Sequence, residues 1–327
     1  MKNDKVFLSL VVPAYNEEEV INFLYERAVP ILSSINERFE MIFVNDGSCD
    51  CTAEKIKALH QKDSRIKLIE LSRNFGKEIA LTAGLDFAQG EVVVVTDADL
   101  QDPPELIPKM VEKWREGYDT VYAVRRIRQG ETFLKKATAK IFYRVSRRLS
   151  KIEIPENAGD FRLMSRRTVN ALKLLREQHR FMKGMFSWIG FKQTGIPYNR
   201  EPRIAGRTKW NYWRLFNFAV DGITSFSYVP LQLSSYLGCL AAFFAFFYAG
   251  YLVVRTLVWG VDLPGYASIM VAILFFSGVQ LIFLGVIGEY LGRMFNETKN
   301  RPLYFIQGMV GIDRLNEPNK GTIFFDK

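Results

Sequence analysis

Several short apolar runs in the first half of the chain end in polar side chains of the kinds that bind charged ligands. The sharpest example is the triplet Asp97-Ala98-Asp99, which directly follows such a run. Residues i and i+2 leaving a strand point the same way, so both carboxylates can converge on one point. Two close carboxylates repel each other unless a proton or a cation lies between them. Mg²⁺ or Mn²⁺ commonly fills this place and bridges the carboxylates to phosphate groups of a substrate.

Alternating elements must position these side chains. Apolar runs rich in Val, Ile and Leu cover residues 7–12, 41–44, 66–71, 92–96 and 120–124. Helix-length polar segments lie near residues 18–35, 52–61, 77–88 and 104–116. Short buried strands alternating with helices indicate an α/β domain with a largely parallel sheet.

In an open sheet of this kind, ligands bind beyond the carboxyl ends of the strands. Four of the apolar runs end in polar clusters, at residues 13–17, 45–48, 72–77 and 97–102. Any one cluster could be a helix cap or a solvated turn. Four clusters at one edge favour a ligand site.

Composition excludes several classes of protein. The chain has 327 residues, of which 48% are apolar and 24% charged, and this excludes a disordered chain. Three cysteines and two histidines are too few for a disulfide-stapled fold, a His-rich metal centre or a Ser-His-Asp triad. The net charge of +9 suits nucleic acid, an anionic membrane surface or phosphorylated substrates. No recognisable nucleic-acid module accompanies it, so nucleic acid is not expected as a partner.

Two long uncharged stretches predict a membrane hairpin. They cover residues 229–254 and 266–288, and each exceeds the roughly 20 residues that cross a bilayer. A pair of buried core helices is the alternative, but such helices rarely run this long without a charge. Basic residues flank the hairpin on its outer sides, whereas the linker carries only Arg255 and Asp262. The positive-inside rule therefore predicts a multi-pass protein of the inner (plasma) membrane with both termini in the cytoplasm. No signal peptide is visible at the N-terminus.

Several motifs resemble a known enzyme family. The motifs Val-Pro-Ala-Tyr-Asn-Glu (residues 12–17), Asn-Asp-Gly-Ser (45–48) and Asp-Ala-Asp-Leu-Gln-Asp (97–102) resemble the nucleotide-sugar site of inverting family 2 glycosyltransferases, which have the GT-A fold. Residues 156–166, 203–209 and 288–293 resemble the polyprenyl-phosphate branch, which includes bactoprenol glucosyltransferases and dolichol-phosphate mannose synthase.

This resemblance implies inverting transfer of a hexose, glucose above all, from a UDP-sugar to undecaprenyl phosphate at the cytoplasmic membrane face. The product would be a lipid-linked sugar for modification of a cell-surface glycan such as O-antigen. The alternatives are another donor sugar (GlcNAc, galactose or an aminoarabinose) and a processive polysaccharide synthase, whose Gln-x-x-Arg-Trp motif is missing from residues 178–181. A non-enzymatic flippase or scaffold is a further rival, but ionisable residues are missing from both spans.

The resemblance also implies site residues. The donor nucleotide would be bound by Pro13, Tyr15, Glu17, Val44, Asp46, Asp97, Ala98 and Asp99, and Mg²⁺ or Mn²⁺ by Asp97, Asp99 and Gln101. Phosphate and acceptor groups would be bound by Arg125, Arg203 and Lys209, with Lys77 also facing the site. Arg126 and Arg128 are expected to be solvated surface cations.

Asp160 and Arg162 are the expected catalytic residues, because Asp160 matches the position proposed as base in relatives. The acceptor phosphate has a second pKa of about 6, so it is largely a dianion already and needs little deprotonation. Asp160 could instead orient Arg162 or the acceptor, or stabilise positive charge on the sugar. It could also be a turn residue after Gly159.

The predicted organisation has four parts: a catalytic domain (1–210), an interfacial helix (211–228), the hairpin (229–290) and a cytoplasmic tail (291–327). Residues 133–152 are predicted to form a basic amphipathic helix that would lie on lipid or pack on the sheet. Two apolar strands in the tail, at 303–306 and 322–325, favour pairing with another copy of the chain. The resemblance implies a tetramer, with a separate flippase and a downstream transferase as partners.

Overall fold

The computed structural model describes residues 5–126, 155, 158–201, 224, 227–260 and 265–312. Within these ranges, one sheet carries helices on both faces, and two long apolar helices follow before the chain returns to the sheet. The helix predicted over residues 133–152 and the strand predicted at 322–325 lie outside the described residues. So does nearly all of the interfacial helix predicted over 211–228.

In the part of the chain that the structure describes, eight strands form a single mixed sheet. They are β1 (Leu8–Ala14), β2 (Phe39–Asn45), β3 (Ile66–Leu71), β4 (Val92–Val95), β5 (Thr120–Arg125), β6 (Ala158–Ser165), β7 (Gln193–Tyr198) and β8 (Ile306–Val310). Their order across the sheet is β7-β5-β6-β4-β1-β2-β3-β8. β6 and β8 run antiparallel to their neighbours, whereas the other strands share one direction. The predicted α/β fold with a largely parallel sheet is confirmed, and β6 and β8 make the sheet mixed.

The described helices connect these strands and build the hairpin. They are α1 (Ile21–Ser34), α2 (Thr52–Lys62), α3 (Lys77–Phe87), α4 (Ile107–Arg115, after a 3₁₀ turn at Pro104–Leu106), α5 (Arg166–Leu174), α6 (Met182–Trp188), α7 (Val229–Trp259) and α8 (Tyr266–Thr298). The first four lie where the sequence predicts them, with ends that differ by a few residues.

Helices cover both faces of the central strands, which explains why those strands read as continuous apolar runs. Side chains alternate along β1: Leu10 and Val12 pack in the layer of α1, α2 and α4, and Val11 packs in the layer of α3, α5 and α6. Helix α3 lies very close to the sheet, because a Cβ atom at Gly84 would be 2.3 Å from the Val11 side chain. A larger residue at this position would therefore push α3, which begins at Lys77, away from the sheet.

α7 and α8 form the predicted hairpin. Both are long and apolar enough to cross a bilayer, and no residue of their most apolar windows is buried inside the protein. Core helices of a soluble domain would be covered, so this exposure favours lipid contact and a membrane-associated protein. The Tyr290 hydroxyl of α8 donates a hydrogen bond to the Ser227 carbonyl just before α7, at 2.6 Å.

After α8 the chain returns to the sheet. β8 pairs antiparallel with β3, and the Tyr304 hydroxyl donates to the Asp86 carboxylate on α3 at 2.8 Å. The strand predicted at 303–306 thus begins at Ile306 and pairs within its own chain. Pairing of the tail with another copy stays a prediction.

Candidate active site

The carboxyl ends of β4, β1, β2 and β3 lie side by side at one edge of the sheet. Asp97 follows β4, Tyr15 follows β1 and Asp46 follows β2, while the loop after β3 leads to Lys77. The polar clusters that the sequence singles out therefore share one edge, because parallel strands end together.

Strand β6 brings Asp160 to this edge. β6 runs antiparallel to β4, with Val95 opposite Arg162. Continuing this register by two residues places Asp160 opposite Asp97, although their positions in the chain are far apart. The antiparallel pairing of β4 and β6 therefore brings the Asp160 carboxylate to the Asp97-Ala98-Asp99 triplet.

The ammonium group of Lys77 lies between these two carboxylates. Its Nζ atom is 2.6 Å from an oxygen of Asp97 and 2.6 Å from an oxygen of Asp160. Desolvation lowers the pKa of Lys77, but the charges of Asp160 and Asp97 outweigh it and hold that pKa above its usual value. Desolvation would raise the pKa of Asp160, yet Lys77 and then Lys183 hold it well below its usual range. Asp160 is therefore a carboxylate at neutral pH and a weak proton acceptor.

Further charges surround this bridge. Arg162 is only 4% exposed, donates a 2.9 Å hydrogen bond to the Gly159 carbonyl and stacks 3.7 Å from the centre of the Phe186 ring. Burial lowers the pKa of Arg162 to about 10. Burial and then the charge of Asp160 raise the pKa of Glu78 to about 7. One oxygen of Asp160 and Nε of Arg162 are buried without a hydrogen-bond partner.

A second polar cluster lies beside the first. The Tyr198 hydroxyl donates to the buried carboxylate of Asp102, and Arg125 donates to the Tyr198 oxygen at 3.2 Å. Arg125 also lies 4.0 Å from Asp102. Burial raises the pKa of Asp102, and the Tyr198 hydrogen bond offsets part of that rise. The guanidinium of Arg125 is thus held at the edge by its neighbours on β7 and in the loop after β4.

Asp99 and Gln101 shape the loop after β4. The Gln101 amide donates to an Asp99 oxygen at 3.2 Å, and Leu100 between them has a positive φ of 56°. Asp99 is 9% exposed. The Gln101 side-chain oxygen accepts a hydrogen bond from Arg200. Two of the three predicted metal-binding side chains, those of Asp99 and Gln101, therefore already have hydrogen-bond partners.

Asp46 joins two loops on the donor side of the edge. One carboxylate oxygen accepts the Phe75 amide at 2.7 Å, and the other accepts the Gly76 amide at 2.9 Å. Gly47 has a φ of +67°, and a Cβ atom there would lie 2.5 Å from the Arg73 carbonyl carbon. Only glycine allows the two loops to approach this closely.

The remaining predicted donor-side residues divide into rim and core. Tyr15 is 36% exposed, and the Glu17 amide donates to the Thr52 hydroxyl at 3.0 Å. Pro13 is partly exposed at the end of β1. Val44 and Ala98, by contrast, are buried in the core, so their side chains do not face the edge.

Comparison with known proteins identifies the family. Residues 9–172 match the family model described as Glycosyl transferase family 2, and residues 229–294 match the one described as GtrB C-terminal hairpin. The chain belongs to the family 2 glycosyltransferases. Its sheet is the GT-A fold, and the hairpin is the one that accompanies this domain in such proteins.

Relatives match this glycosyltransferase over most of its length. An uncharacterized glycosyltransferase of Synechocystis is 56% identical over 94% of this chain and 97% of its own. Another from Bacillus subtilis is 48% identical over 93% of this chain and 94% of its own. A prophage-derived bactoprenol glucosyl transferase of Shigella flexneri is 47% identical over 92% of this chain and 97% of its own.

The side chains of the glycosyltransferase site could hold a divalent cation only together with oxygen atoms of a bound substrate. Asp97 and Asp99 offer hard oxygen donors, but no group of three or more His, Cys, Asp or Glu side chains among the described residues could hold an ion. Mg²⁺ is often held by one or two carboxylates together with substrate phosphates. The residues present suit that arrangement.

Sequence reasoning missed part of the site. Tyr198, Glu78 and Lys183 have no motif of their own and reach the edge only through β7, α3 and α6. Nothing in the sequence around Lys183 links this residue to Asp160. Arg203 and Lys209 lie outside the described residues, so their predicted roles stay predictions.

Proposed function

We infer that this glycosyltransferase transfers glucose from UDP-glucose to undecaprenyl phosphate, with inversion at the anomeric carbon. The arrangement of Asp97, Lys77 and Asp160 at the carboxyl edge of the sheet carries the proposal. Relatives at 46–47% identity named bactoprenol glucosyl transferases support the lipid acceptor and the sugar. The apolar hairpin supports it too, because a polyprenyl phosphate lies in a bilayer.

In the proposed reaction, an oxygen of the lipid phosphate attacks the anomeric carbon as the bond to the UDP oxygen breaks. The phosphate is already largely a dianion near neutral pH, because its second pKa is about 6. Asp160, with its lowered pKa, would therefore act less as a base than as a fixed negative charge. Such a charge holds Lys77 in place and stabilises the positive charge that develops on the sugar.

Asp97 and Asp99, with Gln101 near them, would hold the divalent cation in the presence of the donor. When bound, Mg²⁺ or Mn²⁺ supplies Lewis-acid neutralisation of charge on the departing diphosphate. Arg125 is held at the same edge and would bind phosphate oxygens, for which a guanidinium fork is suited. Pro13, Tyr15, Glu17 and Asp46 would surround the nucleoside.

The hairpin would place this chemistry at the cytoplasmic face of the inner membrane. Basic residues on the outer sides of the two spans support cytoplasmic termini. The product would be a lipid-linked glucose, and a separate flippase and a downstream transferase would carry it to a cell-surface glycan. A homo-tetramer is part of the same proposal.

A reconstitution assay tests the reaction. Purified full-length protein is incubated with undecaprenyl phosphate and, separately, labelled UDP-glucose, UDP-GlcNAc, UDP-galactose and an aminoarabinose donor. We expect glucose transfer that EDTA abolishes and that Mg²⁺ or Mn²⁺ restores. Transfer of another sugar would correct the donor, a polymeric product would indicate a processive synthase, and no transfer to the lipid from any donor would refute the proposal.

A further inference from the structure

A cavity separate from the active-site edge lies where the catalytic domain meets the end of the hairpin. Its volume is about 560 Å³. Arg73 and Phe75 from the loop after β3, His179 from the loop before α6, and Lys299, Arg301 and Phe305 from the segment after α8 line it. Neither Asp97 nor Asp160 is among the lining residues. The cavity thus combines cations with apolar rings at a junction of three elements.

In the described part of the chain, Arg73, Lys299 and Arg301 form no salt bridge within 4 Å, although the charge of Arg73 also acts on the Asp46 carboxylate. Lys299 rests on the Phe295 ring with Nζ 3.8 Å from its centre, and Arg73 rests on Phe75 at 4.0 Å. A cation over an aromatic face keeps its N–H groups available for hydrogen bonds. The neighbouring carboxylate of Glu297 instead accepts the backbone amide of Gln178 at 2.7 Å. An anion would therefore find several unused donors here.

The place of the cavity along α8 points to a lipid. The uncharged part of α8 ends at Gly288, and the helix runs on to Thr298, which is about 15 Å at 1.5 Å per residue. Each headgroup layer is about 5–7 Å thick beyond the hydrocarbon core. In an upright helix the end of α8 would therefore lie about 8–10 Å beyond the headgroup layer, a distance that helix tilt shortens and that long Lys and Arg side chains at this end extend toward.

We propose that this cavity binds the phosphate group of an anionic membrane lipid. The lipid phosphate would contact Lys299, Arg301 and Arg73, and the apolar part of the lipid would lie against Phe305. Asp46 holds the same loop from its other side through the Phe75 and Gly76 amides. Because Lys77 directly follows that loop, a bound lipid would steady the residue that bridges the active-site carboxylates. The proposal rests on membrane association and does not depend on which sugar the enzyme transfers.

Native mass spectrometry of the full-length protein in a neutral detergent tests the binding. Phosphatidylglycerol, phosphatidylcholine, undecaprenyl phosphate and inorganic phosphate are offered separately. The variant K299Q/R301Q removes two cations of the cavity. The matched control K62Q/K109Q removes two exposed lysines on α2 and α4, which cover the opposite face of the sheet.

We expect the native protein to retain an anionic lipid, and K299Q/R301Q to bind it roughly tenfold to thirtyfold more weakly, since each basic residue near a membrane surface contributes about 1 kcal/mol. K62Q/K109Q should bind like the native protein. Retention of phosphatidylglycerol would assign the site to bulk lipid, and retention of undecaprenyl phosphate alone would assign it to the acceptor. Equal retention by K299Q/R301Q and the native protein, or binding of inorganic phosphate in place of any lipid, would overturn the proposal.

Hydrogen exchange tests the link to the loop. The amides of Phe75 and Gly76 should exchange more slowly when the retained lipid is added, and this slowing should vanish in K299Q/R301Q. R73Q leaves the end of α8 intact and should also weaken lipid binding. It therefore tests the cavity even where K299Q/R301Q fails to fold. Exchange that is unchanged by lipid in the native protein would overturn the link.

Discussion

At the scale of single residues, the site consists of charges that hold each other in place. Lys77 bridges Asp97 and Asp160, and Arg162 is buried beside them. Each carboxylate is stabilised by a fixed cation, so little rearrangement is needed when a charged substrate binds. The bridge also explains why Asp160 stays ionised near neutral pH.

Replacing Asp160 by Asn should lower kcat by at least a hundredfold and change the Kd of the UDP-sugar little. The amide removes the negative charge but keeps the shape, so Lys77 loses one of its two anionic partners. Stopped-flow or steady-state assays for turnover and calorimetry for donor binding separate the two effects. An unchanged kcat would remove Asp160 from the mechanism.

Glu78 should make the stability of the protein depend on pH. Its pKa rises from 4.5 to about 7 in the folded state. The folded state therefore binds the proton more tightly, and the stabilisation is present below pH 4.5 and lost as the pH rises through about 7. Lys77, Lys183, Asp160 and Arg162 face this carboxyl group and set the balance.

Between pH 5 and pH 8, the melting temperature of the native protein should fall. The melting temperature of E78Q should fall by a few degrees less. Scanning fluorimetry in detergent measures this. E112Q, which changes an exposed glutamate on α4, serves as the control and should behave like the native protein. Parallel pH curves for E78Q and the native protein would contradict the assignment.

At the scale of elements, α3 links the active site to the membrane-side segment. It begins at Lys77, and near its other end the buried Asp86 accepts hydrogen bonds from Arg176 at 2.7 and 2.9 Å. Tyr304, between the hairpin and β8, donates to the same carboxylate at 2.8 Å. One helix thus contacts both the catalytic bridge and the chain that leaves the hairpin.

The variant D86A should lose about 2–3 kcal/mol of stability, because it leaves buried donors without an acceptor. Y304F removes one hydrogen bond and should lose about 1 kcal/mol. Limited proteolysis should release the segment after α8 faster in D86A than in Y304F. Equal proteolysis of D86A and the native protein would show that other contacts hold the segment.

Gly47 allows the loops after β2 and β3 to approach each other closely at the donor side. In G47A, the new methyl group meets the Arg73 backbone at 2.5 Å, so the loop after β3 must move away from Asp46. G117A is a matched control, because Gly117 also has a positive φ but nothing lies within 4 Å of its Cβ position. We expect G117A to lose about 1–2 kcal/mol from backbone strain alone.

G47A should lose more stability than G117A and should also weaken binding of the UDP-sugar, by about tenfold or more. Thermal melting and donor titration measure the two properties. Equal loss of stability in both variants with unchanged donor binding would mean that the two loops adapt to the methyl group.

At the scale of the whole molecule, the return of the chain to β8 connects the catalytic domain on both sides to two helices long and apolar enough to cross a membrane. Within the described residues, β8 is therefore added to the sheet after the two apolar helices. The catalytic domain cannot separate from the hairpin without losing this edge strand.

Cysteine labelling tests the orientation of the hairpin. In a background where Cys49, Cys51 and Cys239 are replaced by Ser, D262C should react with an impermeant maleimide from outside spheroplasted cells. K109C, in the catalytic domain, should react only after lysis. The reverse pattern would place the catalytic domain on the other side of the membrane.

The sequence by itself determined the first five strands and first four helices, the polar clusters at strand ends and the apolar hairpin. These features follow from local periodicity and charge, which each segment carries on its own. β6 was not predicted because Asp160 and Arg162 break the apolar pattern of a buried strand, and β7 was not predicted because it is short and contains Gly195 and Pro197. The roles of Glu78, Lys183 and Tyr198 were not visible, because these residues reach the site only through the packing of α3, α6 and β7.

Only the tertiary structure decided which charges meet. The antiparallel register of β4 and β6 sets Asp97 against Asp160, and the close approach of α3 to the sheet at Gly84 brings Lys77 between them. Both contacts join segments distant in the chain, and their geometry depends on how the whole core packs. A local pattern can identify a carboxylate, but the packed sheet determines its partner.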